Sequence, residues 1–299
     1  MNLQKKLLIG NFGAKNLGDE LILLASLAKT KNSIVMTNDV EYSQKFCMQN
    51  FENVSFFPVG FRSFWKFFCN SSYRKKIFLL KNEIDEIIFC GGGLFAIRFK
   101  AVWIWFIIFL WAKYFLKKPV FFIRQGIDQN LGFFSQKIIQ FVFSRADYIS
   151  VRDSESAEIL KKLKIKNVEI KNDAVIQYLK NNFEKNFIPK EKIILINAKS
   201  FFDPKKILKK YPQHKLIFIA FDPQDKKFVP KNFNHEILFP ADKNQLFEIF
   251  QKAEISIGER LHFLILGENF CGKEKTFLLK KPYSEKVKNF SQKRFIKIL

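Results

Sequence analysis

Short apolar runs and longer amphipathic stretches take turns along the whole chain. That alternation argues for parallel strands joined by right-handed helical crossovers. In the first half, the runs at 7–9, 33–36, 86–90, 120–123 and 148–151 read as strands, and the stretches at 20–29, 102–116, 136–144 and 155–163 as helices. Asp153, Glu155 and Glu158 sit early in the last of these and Lys161 and Lys162 late, as a helix dipole favours. The pattern then stalls in a polar stretch, 180–192, which contains Pro189 and is the best linker candidate. It restarts with strands at 192–198, 215–220, 236–239 and 254–257 and an amphipathic helix at 244–252. Periodicity alone predicts two α/β lobes, and a chain of 299 residues suits two domains of about 150.

One stretch departs from this habit. Residues 101–112 (AVWIWFIIFLWA) are apolar without a break until Lys113. A membrane-spanning helix needs about 20 apolar residues, so this run falls short. Its place between the Gly91–Gly93 turn and the strand at 120–123 makes it a βαβ crossover helix. Such a helix normally shows a polar face; this one is expected in the core, with lipid contact as the alternative.

Candidate chemistry gathers where strands end. The strand at 254–257 turns at Gly258 and delivers Glu259-Arg260-Leu261-His262 into an apolar helix. In open α/β sheets, the carboxyl ends of strands are where ligands bind. His262 is one of three histidines, and His214 and His235 lie in polar surroundings without a comparable motif. Simple packing at a helix start is the competing reading of His262. The strand at 148–151 likewise delivers Arg152-Asp153 to a helix cap, where Arg152 suits either an anion or a structural ion pair with Asp153 or a helix end. The first loop, Gly10 to Glu20, follows a strand and opens a helix, but Gly10, Gly13 and Gly18 lack dinucleotide or Walker spacing. Asp19 and Glu20 stand where a phosphate would want N–H groups alone. They suit sugar hydroxyls instead, as acceptors or as a base, although Glu20 reads equally well as a helix cap. Gly91, Gly92 and Gly93 permit close backbone approach to a ligand or simply make a tight turn.

Taken in order, Gly10–Glu20, Phe89–Phe95, Ile149–Ser156, Gly258–His262 and Pro282–Val287 resemble the polysaccharide pyruvyl transferase family over roughly residues 7–290. The resemblance implies a GT-B-like α/β architecture of two Rossmann-like lobes flanking a cleft. Residues 1–180 would form the acceptor-side lobe and 190–299 the donor-side lobe. It also implies transfer of the enolpyruvyl unit of phosphoenolpyruvate onto two hydroxyls of one sugar, in a cell-surface polysaccharide or its lipid-linked precursor. The product is a cyclic ketal, and phosphate leaves. Phosphoenolpyruvate is then a co-substrate, and no cofactor or metal is expected. By the same resemblance Arg152 and Arg260 hold the donor and His262 is the general acid; Asp19 is expected to share the catalytic role, and Asn16, Glu20, Gly92 and Gly93 to face the acceptor. The residue types fit: a guanidinium meets phosphate or carboxylate bidentately, a histidine delivers a proton near neutral pH, and a helix start favours anions. At Gln125-Gly126-Ile127 the chain departs from its relatives, which continue Gly-Pro where Asp128-Gln129 stands here; Arg124 is also unusual, and both bear on the acceptor side. The carboxyl-terminal part looks shorter than in many relatives. Two rivals are a GT-B glycosyltransferase using a nucleotide sugar and a non-catalytic relative that binds a membrane surface.

Composition narrows the setting. Apolar residues make up 48% of the chain, enough for a real core, and no low-complexity tract argues for disorder. The four cysteines are scattered without a Cys-x-x-Cys pair, which fits a reducing compartment and offers no metal site. The amino-terminal apolar run is too short for a signal peptide, so a cytoplasmic protein, peripheral at the inner face of the membrane, is expected. Over-use of Lys, Asn, Ile and Phe, as AT-rich codons produce, accounts for part of the +23 net charge. Its distribution says more. Between Arg62 and Lys81 there are six basic residues and no acidic ones, interleaved with Phe64, Trp65, Phe67, Phe68 and Tyr73. Nucleic acid would use such groups for phosphate contacts and stacking, but no nucleic-acid fold accompanies them. An anionic membrane surface is the better expectation.

Overall fold

The computed structural model describes residues 4–30, 32–55, 61–95, 99–183, 190–231, 233, 235–280 and 285–299. Pro282, Tyr283 and Ser284, from the last motif, and 184–189, from the expected linker, lie outside the described residues. The chain divides into two compact units. Met1–Ala14, Ile22–Gln44 and Gln49–Gln177 form one; Lys15–Leu21, Lys45–Met48 and Tyr178–Leu299 form the other. The start of the first long helix, Leu17–Leu27, therefore belongs to the second unit, where the Leu17 N–H donates to the Phe221 carbonyl at 2.8 Å.

The first unit is built on a seven-stranded parallel sheet. Its strands are β1 (Lys6–Ile9), β2 (Ser33–Met36), β3 (Glu52–Val54), β4 (Glu86–Phe95), β5 (Val120–Ile127), β6 (Tyr148–Val151) and β7 (Val168–Ile170), ordered β3-β2-β1-β4-β5-β6-β7. The five expected strands are present. The two edge strands, β3 and β7, were not expected, because three residues with one or two separated apolar positions leave no apolar run to read. Around the centre, Phe122 packs against Phe143, Phe89 and Phe109 at ring-centroid distances of 4.5, 4.7 and 6.1 Å. Rings at such offsets give each buried phenylalanine a packing gain beyond its area.

Two expectations change here. The Gly91–Gly93 segment is not a turn: β4 runs straight through it to Phe95, with a register slip between Gly92 and Phe95 and φ +101° at Gly92. A Cβ on Gly91 would stand 2.7 Å from the Arg124 carbonyl oxygen of β5, so close strand approach explains that glycine without a ligand. The crossover helix is also longer than its apolar run. Phe99–Leu110 continues as a π-helical turn, Trp111–Leu116, giving 18 residues that are long and apolar enough to cross a membrane by length and composition. Val102, Trp105, Ile108, Phe109, Trp111, Ala112 and Leu116 are nonetheless buried within the unit, as a crossover helix requires.

The second unit repeats the plan with a six-stranded parallel sheet. Its strands are β8 (Glu191–Asn197), β9 (Lys215–Ile219), β10 (Glu236–Leu238), β11 (Ala253–Gly258), β12 (Thr276–Leu278) and β13 (Lys297–Ile298), ordered β10-β9-β8-β11-β12-β13. Ile194, Leu195 and Ile196 are all fully buried, which is why a central parallel strand shows an unbroken apolar run. In each sheet the chain steps outward over three strands, then returns to the other side of the first. The reversal lies between β1 and β4 in one unit and between β8 and β11 in the other. The crevice beyond the strand ends at such a reversal is where open α/β sheets bind ligands.

Candidate active site

At the reversal in the second unit, β11 ends at Gly258 and the helix Leu261–Phe270 begins, with Arg260 as its N-cap residue. The Arg260 guanidinium meets the Asp225 carboxylate in a two-pronged pair: Nε donates to Oδ2 at 2.7 Å and Nη2 to Oδ1. Asp222 Oδ2 lies farther off, at 3.8 Å from Nη2. Asp225 is only 1% exposed and also accepts from Asn197 Nδ2 and from the backbone N–H groups of Phe221 and Asp222. These donors satisfy its lone pairs, so a buried carboxylate is tolerated and the arginine is held in one orientation. The neighbouring Glu259 ties the reversal together, accepting from the Lys199 N–H at 2.6 Å and from Ser200 Oγ. Because Lys199 and Ser200 follow β8, one carboxylate bridges the ends of β8 and β11.

Lys199 was not singled out from sequence. Its pKa is held below 10.5, first by burial and then by the nearby Arg260 charge, against the pull of Asp225, Glu259 and Asp222. Burial and the Arg260 charge thus disfavour its ammonium form, while three carboxylates surround the two cations. The sequence signal was available: Lys199 follows a predicted strand just as Arg260 does. Asp222 and Asp225 carried a weaker one, the Asp-Pro start of a short helix after β9.

His262 lies in the first turn of Leu261–Phe270, half-buried. Its imidazole faces Gly18 so closely that a Cβ there would stand 2.4 Å from Nδ1. Gly18 thus has a steric reason that owes nothing to phosphate-loop spacing. Asn16, given an acceptor role above, caps the helix Leu17–Leu27: its Oδ1 accepts from the Gly18 N–H at 2.9 Å and its carbonyl from the Asp19 and Glu20 N–H groups. Asp19 is half-buried in that same first turn. Glu20 is fully buried in the same turn, which favours the helix-start reading over contact with a sugar hydroxyl.

The first unit holds Arg152, Gly92 and Gly93. Arg152 follows β6 with its side chain 7% exposed; Nε lies 3.4 Å from Asp153 Oδ2 and Nη1 3.8 Å from Asp173 Oδ2. Both carboxylates also serve helix starts, Asp153 accepting from the Ser156 N–H and Asp173 from the Val175 N–H. The guanidinium lies against Gly126, where a Cβ would stand 2.3 Å from Nη2. The ion pair weighed as an alternative for Arg152 is therefore present, and the departure from the family pattern at Gln125–Ile127 contains the glycine that accommodates it. Gly92 is buried within β4 and Gly93 is exposed. Among the described residues, no group of three or more His, Cys, Asp or Glu side chains is placed to hold a metal.

The model of the family described as polysaccharide pyruvyl transferase matches residues 16–271, most of the chain. The chain belongs to the polysaccharide pyruvyl transferase family. It is therefore a transferase that modifies polysaccharide. No curated protein matches it in sequence. Among solved structures it is similar to the UDP-GlcNAc 2-epimerase of Methanocaldococcus jannaschii in complex with UDP-GlcNAc and UDP, with TM-score 0.58, 13% identity, and coverage of 99% of this chain and 88% of that one. The Neisseria meningitidis UDP-GlcNAc 2-epimerase bound to UDP-GlcNAc gives 0.57, 12%, 99% and 87%. Anabaena Alr3699/HepE in complex with UDP and glucose gives 0.55, 12%, 97% and 89%. At such identities the likeness is one of fold, which is GT-B-like with two parallel sheets and flanking helices. This family member keeps Asn16, Gly18, Asp19, Lys199, Arg260 and His262 in one unit.

Proposed function

We propose that this family member transfers the enolpyruvyl unit of phosphoenolpyruvate onto two hydroxyls of one sugar of a polysaccharide or its lipid-linked precursor. The observation that carries the reading is the cluster at the β8/β11 reversal. A guanidinium fixed by Asp225 and an imidazole in the first turn of the helix follow β11, and a second cation, Lys199, follows β8 beside the guanidinium. A phosphate ester and a carboxylate borne on one carbon need such fixed positive charge, and Arg260 and Arg152 are assigned to them. His262 protonates the methylene carbon, which becomes the methyl group and leaves the central carbon electrophilic. One sugar hydroxyl adds there and gives up its proton, with Asp19 as the base. The C–O bond to phosphate then breaks, and the second hydroxyl closes the ketal. Of the two hydroxyl protons, one balances the new methyl and the other leaves on phosphate.

The work is assigned to the cytoplasm, where phosphoenolpyruvate would be a co-substrate and no further cofactor takes part. The test is phosphate release from phosphoenolpyruvate with candidate acceptor saccharides, run beside the same acceptors with UDP-sugars. Ketal formation and stoichiometric phosphate support the reading. Sugar transfer from UDP-sugars without turnover of phosphoenolpyruvate would favour the glycosyltransferase alternative and overturn it.

A further inference from the structure

We infer that the outward faces of the helices Phe61–Cys69, Ser71–Glu83 and Phe99–Leu116 in the first unit form one docking surface for an anionic lipid bilayer. The helix Ser71–Glu83 buries Tyr73, Ile77 and Leu80 on one side. A helix that met only water would be polar on the other. Here the opposite side carries Lys75, Phe78 and Leu79, with Phe78 51% and Leu79 42% exposed. On the preceding helix Trp65 and Phe68 are 61% and 58% exposed. The Phe78 ring touches Phe67 at 6.0 Å and Phe115 at 5.6 Å between centroids, which carries the apolar surface onto the turn holding Tyr114 and Phe115. Single exposed hydrophobics are ordinary, but contiguous ones mark an interaction surface.

Charge selects the occupant. Residues 62–81 hold six basic side chains and residues 99–118 four lysines, with no acidic residue in either span. Of these, Lys113 is spoken for by Asp147 at 2.6 Å, while Lys66, Lys75, Lys76 and Lys117 are exposed. A second copy of this chain would set the same bases against each other across a two-fold interface. An anionic bilayer instead offers phosphates to the lysines and acyl chains to the rings, as interfacial amphipathic helices use them. Leu79 and the ring-on-ring packing suit acyl chains better than they suit splayed bases. The inference does not depend on which donor the second unit takes.

The test is co-sedimentation of the full chain with vesicles of phosphatidylcholine alone and of phosphatidylcholine mixed with phosphatidylglycerol. Binding to the mixed vesicles only, weakening with added salt, is expected. Lys75→Gln and Lys76→Gln should each weaken it roughly fivefold. Phe78→Ser with Phe115→Ser should weaken it further while circular dichroism stays unchanged. Salt-insensitive or equal binding to both vesicles, a measurement on the parent chain that needs no variant, overturns the inference. So does undiminished binding by the combined variant. A parent chain that ignores vesicles but dimerises, or that binds single-stranded nucleic acid, through these residues also overturns it.

Discussion

Arg260 and Arg152 both stand just past the carboxyl end of a buried strand, at the start of a helix, in sheets of the same winding. Their neutralisation differs. Arg260 is gripped in a fork by Asp225, which is itself pinned by a side-chain amide and two backbone N–H groups. Arg152 lies against a bare glycine, between two helix-capping carboxylates at 3.4 and 3.8 Å. A two-pronged charge-assisted pair sets orientation as well as charge balance, whereas longer single contacts give balance with little steering. The comparison shows that position on an α/β sheet nominates an arginine for anion binding, and that its counter-charge decides how rigidly it is presented. His262 adds a third arrangement, a titratable group seated against a glycine, Gly18, as Arg152 is seated against Gly126.

The steepest loss of activity is expected at His262. His262→Ala and His262→Gln should leave fold and donor binding intact and lower steady-state phosphate release by about 10²–10⁴-fold. A Gln variant turning over near the parent rate would make His262 a positioning residue and would move the acid elsewhere.

Next come the two arginines. Arg260→Ala and Arg152→Ala should each weaken phosphoenolpyruvate binding roughly ten- to a hundredfold by calorimetric titration, the loss of about 1.5–3 kcal/mol from a charged hydrogen bond. Stability should separate them. Arg260→Ala strands a buried carboxylate, and breaking such a pair costs about 3–5 kcal/mol in urea unfolding, while Arg152→Ala should cost less. Unchanged donor affinity in both variants would sink the assignment, and equal stability losses would erase the contrast.

The glycines sharpen the contrast at about 1–3 kcal/mol, the usual cost of an inserted methyl in a filled space. Gly126→Ala should lose most of its penalty in an Arg152→Ala background, and Gly18→Ala most of its own in a His262→Ala background. Additive double-mutant cycles would mean that the side chains do not meet in solution.

The smallest effect is a slope with pH. The folded-state pKa of Lys199 lies below 10.5, so its charged form is the disfavoured one. The stability penalty is fully present at low pH and is relieved as pH rises through the lowered value towards 10.5. Donor affinity should run the opposite way, falling over the same alkaline range as the ammonium is lost. Lys199→Gln should bind the donor more weakly at neutral pH and flatten that limb; an unaltered alkaline limb would remove Lys199 from the site.

The two parallel α/β lobes, and the strand ends that carry Arg152, Arg260 and His262, are legible in the amino-acid pattern alone. Central strands buried on both faces need unbroken apolar runs, and short loops keep a motif beside the strand it follows. Edge strands such as β3 and β7 escaped because three residues hold too few apolar positions to make a run. The reach of β4 through Gly91–Gly93 escaped because glycines that let two strands come close look the same in sequence as glycines in a turn. Which groups meet is a matter of three-dimensional packing. Asp225 finds Arg260 across 35 residues, Gly18 finds His262 from the opposite end of the chain, and Gly126 finds Arg152. It also buried Glu20 and drew Asn16 into a helix cap. Such pairings leave no local trace, because a missing Cβ or a counter-charge acts through space and neither residue's neighbours in sequence record it.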